Sequence, residues 1–136
     1  MKKSEVIETI TTKFGKANGN IPIPLLKGGT FNASLVDNGI MVDNLGSEPF
    51  LPWEVFTEAV ALLQGSGGQA SRGDAMNSKL GEPDLYITSV EGFIAHAVYN
   101  KQPGDSVFRR ITPIACILIW AGICRHQPGQ LVLNNI

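Results

Sequence analysis

The apolar positions fall into short runs whose spacing changes along the chain. Val6, Ile7, Ile10 and Phe14 recur at helical spacing, which predicts a helix over Ser4–Phe14. Ser4 is its expected cap, with Glu5 and Glu8 near the positive end. After a loop over Gly15–Asn20, Ile21-Pro22-Ile23-Pro24 reads as extended, because proline disfavours helix at the residue before it. Prolines also suit a sheet edge. Thr30–Leu45 is a hairpin pattern: two β-prone runs flank Asp37-Asn38-Gly39, and Asn-Gly tolerates the positive φ of a tight turn. Pro52 opens a helix whose stripe is Val55, Phe56, Ala59, Val60, Leu62 and Leu63, with Trp53 packed where helix meets hairpin. Gly65–Gly68 ends it. A short helix is expected over Ser71–Leu80, with Ser71 as cap. A further helix runs from Thr88 or Ser89 to about Tyr99, with Val90, Phe93, Ile94, Ala97 and Val98 inward.

The most telling stretch is Phe108–Leu133. Thr112 is the expected N-cap of its helix and Pro113 suits the first turn. Ile114–Ala121 is apolar on every side, so this helix should be buried almost all round. Gly122 marks its end. Ile123–Arg125 and Gln130–Asn134 then read as two strands about a Gln127-Pro128-Gly129 turn.

An arginine-led helix, an alanine-glycine-aliphatic step and a hairpin together resemble the last helix and wing of a winged helix-turn-helix domain. More narrowly, the stretch resembles the N-terminal DNA-recognition domain of Mrr-type restriction endonucleases. The matching residues are Arg110, Ile111, Ala115, Leu118, Ala121, Gly122, Ile123, Gly129 and Leu131, within Leu51–Asn134. The fold class that follows is α+β: a winged-helix-like helical core with a C-terminal β-hairpin wing over residues 51–136. An N-terminal helix and β-hairpin over residues 1–50 extend it, either joining the wing in a sheet or building a dimer contact.

Composition changes this picture only in part. With 43% hydrophobic and 17% charged residues the chain is globular in character. Its longest apolar run, Ile114–Cys124, is about half the roughly 20 residues that span a bilayer. With no signal-like N-terminus, a cytoplasmic protein without a membrane partner is expected. Net charge is −1, a mild argument against nucleic acid; residues 1–67 carry five basic against seven acidic side chains, and residues 68–136 six against five. Cationic contact must therefore come from local clustering. Cys116 and Cys124 read as buried thiols, and His96, Cys116, Cys124 and His126 lack the spacing of a zinc site.

No nucleophile–base or paired-carboxylate signature is present, and no cofactor motif; the Gly-Ser-Gly-Gly segment trails a helix and lacks the Lys-Ser/Thr of a phosphate loop. The resemblance implies recognition of double-stranded DNA without cleavage, by a dimer. Arg109, Arg110 and Thr112 would lead the last helix toward phosphate or guanine. Lys101 precedes them. Arg125, His126 and Gln127 would act at the wing, and Arg72, Asn77 and Lys79 would hold phosphates. Arg109 and Arg110 paired with Asp105 as an ordinary solvated cluster is the plainer alternative. Ile114, Ile117, Ile119 and Trp120 leave no polar outer face on the last helix, so something must cover it. That opens a second reading, a protein-interaction or dimerisation module without DNA. A third is a small-ligand pocket lined by Trp53, Phe56 and Trp120.

Overall fold

The computed structural model describes residues 1–15 and 19–134; part of the loop expected after the first helix, and the last two residues of the expected 51–136 unit, lie outside them. The class is α+β. In chain order the elements are α1 (Lys3–Phe14), β1 (Ile21–Pro24), β2 (Thr30–Val36), β3 (Gly39–Val42), β4 (Phe50–Pro52), α2 (Trp53–Gly65), β5 (Gln69–Ser71), α3 (Val90–Ala97), α4 (Ile111–Trp120), β6 (Cys124–Gln127) and β7 (Gln130–Leu133). Two antiparallel sheets form among the described residues. One is the meander β1-β2-β3-β4; the other has the order β5-β7-β6.

The N-terminal hairpin forms where the Asn-Gly pair predicts it. Asn38 takes φ 69°, but Gly39 does not share the positive φ. It serves a different need: a Cβ there would collide with the Leu51 carbonyl, so glycine lets β4 approach β3. The Asn38 carbonyl accepts the Trp53 N–H at 3.0 Å, which joins the hairpin turn to the start of α2 as Trp53's position suggests. β1, with its two prolines, is an edge strand, as is β4. The meander is a sheet of its own, without hydrogen-bonded pairing to the wing.

α2 is the central helix. It packs against α1, α3, α4 and the β5–β7 sheet, and Phe56, Leu63, Val55 and Ala59 on it are fully buried. One apolar cluster runs from Val6 and Ile10 through Ile23, Ile40 and Leu51 to Ile114, Leu118 and Leu131, on both sides of residue 50. No helix among the described residues is long and apolar enough to cross a membrane.

Four expectations are corrected. The helix over Ser71–Leu80 is absent. Gln69–Ser71 is instead a strand paired with Gln130–Val132, and Gly73 at φ 88° leaves helical geometry immediately after it. α1 begins at Lys3 rather than after Ser4, with the Glu5 carboxylate accepting the Lys2 N–H at 2.9 Å. α3 starts at its Ser89 cap but ends at Ala97. There Ala95 is buried, while Ala97 is exposed and Phe93 half-buried. Thr112 does not cap α4, which starts one residue earlier at Ile111.

The C-terminus of α4 has the glycine stop. Gly122 takes φ 79°, and the Ile123 N–H reaches back to the Leu118 carbonyl at 3.0 Å, the six-to-one bond of a left-handed helix exit. Trp120 meets Phe14 edge-on at 5.0 Å, so α1 covers this end.

Candidate functional site

Three chain segments that are distant in sequence enclose an open groove of about 840 Å³. One wall is the chain leaving β5. The Arg72 N–H donates to the Gly129 carbonyl in the wing turn at 3.0 Å, and the Arg72 carbonyl accepts the Glu91 N–H of α3 at 3.0 Å. The backbone of Arg72 is thus clamped between wing and helix. Beyond Gly73, the Asp74 carboxylate accepts the N–H groups of Met76 and Asn77 at 3.1 and 3.3 Å and the Asn77 side-chain amide at 2.8 Å. These bonds build a tight turn and hold the Asp74 carboxyl below its usual range, chiefly through Asn77. A second part of the lining is the turn Leu25–Lys27 after β1, closed by the Leu25 N–H on the Gly29 carbonyl at 3.0 Å. Ile111, Thr112 and Cys116 of α4 form the floor.

Lys27, Arg72 and Arg109 bring three cationic side chains to this groove against the carboxylates of Asp74 and Asp84. Among the described residues the salt bridge present is Lys3–Glu58 on the surface, at 3.1 Å; neither Arg72 nor Arg109 has an acidic partner. Arg109 instead places Nη1 2.8 Å from the Met76 sulfur. Arg72 is half-buried, and that burial lowers its guanidinium pKa; Cys116 opposes the shift and neighbouring Arg109 adds to it. Burial pushes the Cys116 thiol up, against the Leu26 N–H and Arg72, which lower it.

A second polar arrangement lies inside the fold. Glu91, 1% exposed, belongs to the first turn of α3 but serves α4. Its Oε1 accepts the N–H groups of Arg110 and Ile111 at 3.0 and 3.2 Å. A carboxylate therefore occupies the positive end of α4 from the interior. Burial raises the Glu91 pKa to about 7, although both N–H bonds oppose the rise. Arg110 is 7% exposed. Its guanidinium lies 3.7 Å over the Tyr99 ring and 4.8 Å from the Phe108 ring.

Of the ten residues expected to touch DNA, Arg72, Asn77, Arg109 and Thr112 line the groove. Arg125, His126 and Gln127 are exposed along β6, whose turn adjoins the groove at Gly129, and Arg125 also donates to the Leu133 carbonyl at 3.0 Å. Lys79 is exposed in the turn that Glu82 closes by accepting the Lys79 N–H. Lys101 closes α3, its N–H on the Ala95 carbonyl and its own carbonyl 2.8 Å from His96 Nδ1. Arg110 points inward to its aromatic neighbours rather than into the groove. Trp53, Phe56 and Trp120 lie outside the groove lining: Trp53 packs near Phe56, and Trp120 against Phe14.

Nothing in the sequence marks Lys27, Ser71 or Cys116 as groove residues, because three distant segments must meet first. Glu91 did carry a signal: an acid in an otherwise apolar first turn. A scan against protein-family models, a search of curated proteins and a search of solved structures each give no match to the chain.

Proposed function

We propose that this is a non-catalytic protein that binds double-stranded DNA through its sugar-phosphate backbone, on a winged-helix-like scaffold. The observation that carries the reading is the groove: Arg72 and Arg109, neither in a salt bridge among the described residues, converge there with Lys27, Thr112 and the wing turn. Lys27, Arg72 and Arg109 against Asp74 and Asp84 leave the groove net positive, which favours an anionic partner. The scaffold is supported by the order α2, β5, α3, α4, hairpin, with β5 adding to the wing as a third strand.

Reading of base edges by α4 is not part of the proposal. Ile111 and Pro113–Leu118 are all buried, and Glu91 already occupies the N–H groups that would face a phosphate. Contact falls instead to Arg72, Arg109 and the exposed Arg125, His126 and Gln127 of the wing. The apolar length of α4, which raised the interaction-module alternative, packs on β1, α2 and β6 of its own chain.

Fluorescence anisotropy with a labelled random duplex tests the reading. Micromolar affinity that falls steeply with salt is expected, in the roughly 10⁻⁴–10⁻⁶ M range of non-specific binding. Arg72→Ala/Arg109→Ala should weaken it about tenfold or more. An absence of binding even at low salt would sink the proposal.

A further inference from the structure

We infer that the groove takes the phosphorylated end of a single nucleic-acid strand, with the terminal phosphate on Arg72 and Arg109 and the terminal base against Leu26 and Met76. This rests on the nucleic-acid reading above and names the part of the ligand that enters the groove.

The phosphate assignment starts from the two arginines. They line one cavity, repel each other across it and meet no carboxylate within salt-bridge distance among the described residues. Asp74 and Asp84 share the groove, and the Asp74 oxygens are engaged in the turn by Met76 and Asn77; against these two carboxylates Lys27 joins the arginines as a third cation. An internal phosphodiester offers one charge. A terminal phosphate offers close to two, with three acceptor oxygens, and matches a pair of planar guanidinium forks. Arg72 is half-buried, and an anion met there is screened less by water than at an open surface.

The base assignment comes from the walls. Leu26 is 42% and Met76 69% exposed, two of the few large apolar side chains left in solvent, and both line the groove from turns distant in sequence. The Arg109 contact to the Met76 sulfur ties the apolar wall to the phosphate-binding group. An unstacked base can lie against such side chains, whereas a base inside a duplex has no free face to offer. Size agrees: about 840 Å³ lies within the roughly 300–1,000 Å³ of clefts that hold small ligands.

The test uses the full chain and short labelled single strands that differ only in carrying a 5′ phosphate, a 3′ phosphate or hydroxyls at both ends. One phosphorylated strand should bind about tenfold tighter than the hydroxyl strand, an interval of roughly 1.4 kcal/mol. Arg72→Lys/Arg109→Lys keeps the charges and loses the forks, and should erase that difference. Leu26→Ala should weaken the phosphorylated strand while leaving competition by inorganic phosphate unchanged. Equal affinities for all three strands would overturn the inference; if an unphosphorylated duplex still bound in a salt-dependent way, the backbone reading would stand alone. A mononucleotide competing as well as the strand would also overturn it, in favour of a free nucleotide. Failure of every strand and duplex to bind would remove both readings.

Discussion

Glu91 and Arg110 show how far a residue's role can depart from its place in the sequence. Glu91 lies at the start of α3, where an acid normally favours its own helix, yet its carboxylate accepts from the first N–H groups of α4. With a folded pKa of about 7 against 4.5 for the free side chain, the folded state binds the proton more tightly than the unfolded one. The stability this protonation contributes is complete below pH 4.5 and is lost as pH rises through about 7. Glu91→Gln keeps a carbonyl acceptor and removes the titration. Its melting temperature should therefore vary less than that of the parent between those two pH values, and equal pH profiles would refute the assignment. Gly39 sets a second residue-scale expectation. Because a Cβ there meets the Leu51 carbonyl, Gly39→Ala should cost about 1–3 kcal/mol in chemical denaturation, as overpacking does.

Among the elements, α4 is both the most apolar and the most covered. Ile114, Ile117 and Leu118 are fully buried, each worth roughly 1.5–3 kcal/mol of apolar burial. Leu118→Ala should lower unfolding free energy by about 2–5 kcal/mol, measurable as a shifted denaturant midpoint with an unchanged slope. The hairpins, α2, α3 and α4 were legible in the sequence because local signals fix them: Asn38-Gly39, the stripe from Val55 to Leu63, the Ser89 cap and Gly122. β5 was not legible. A three-residue strand has no period to detect, and Gln69–Ser71 becomes one only because β7 lies beside it. The same non-local cause hid half of the groove. Arg72, Asn77, Arg109 and Thr112 stand out by type and position, whereas Lys27 and Cys116 reach the groove only once the turn after β1 has packed over α4.

At the scale of the whole molecule, surface ion pairing contributes little to cohesion. The Lys3–Glu58 pair has its lysine side chain 69% exposed, and such surface pairs are worth at most about 1 kcal/mol. The cohesive term is the apolar cluster that α2 organises. With a net charge of only −1, the binding proposed above depends on the local convergence of Arg72 and Arg109. The hydrogen bond from Arg72 to Gly129 adds a consequence in time. A ribosome delivers Arg72 long before Gly129, and α4 and β7 emerge in between and after. The nascent chain therefore has no complete groove until its hairpin is released, and the anion binding proposed above would arise only as the last elements fold.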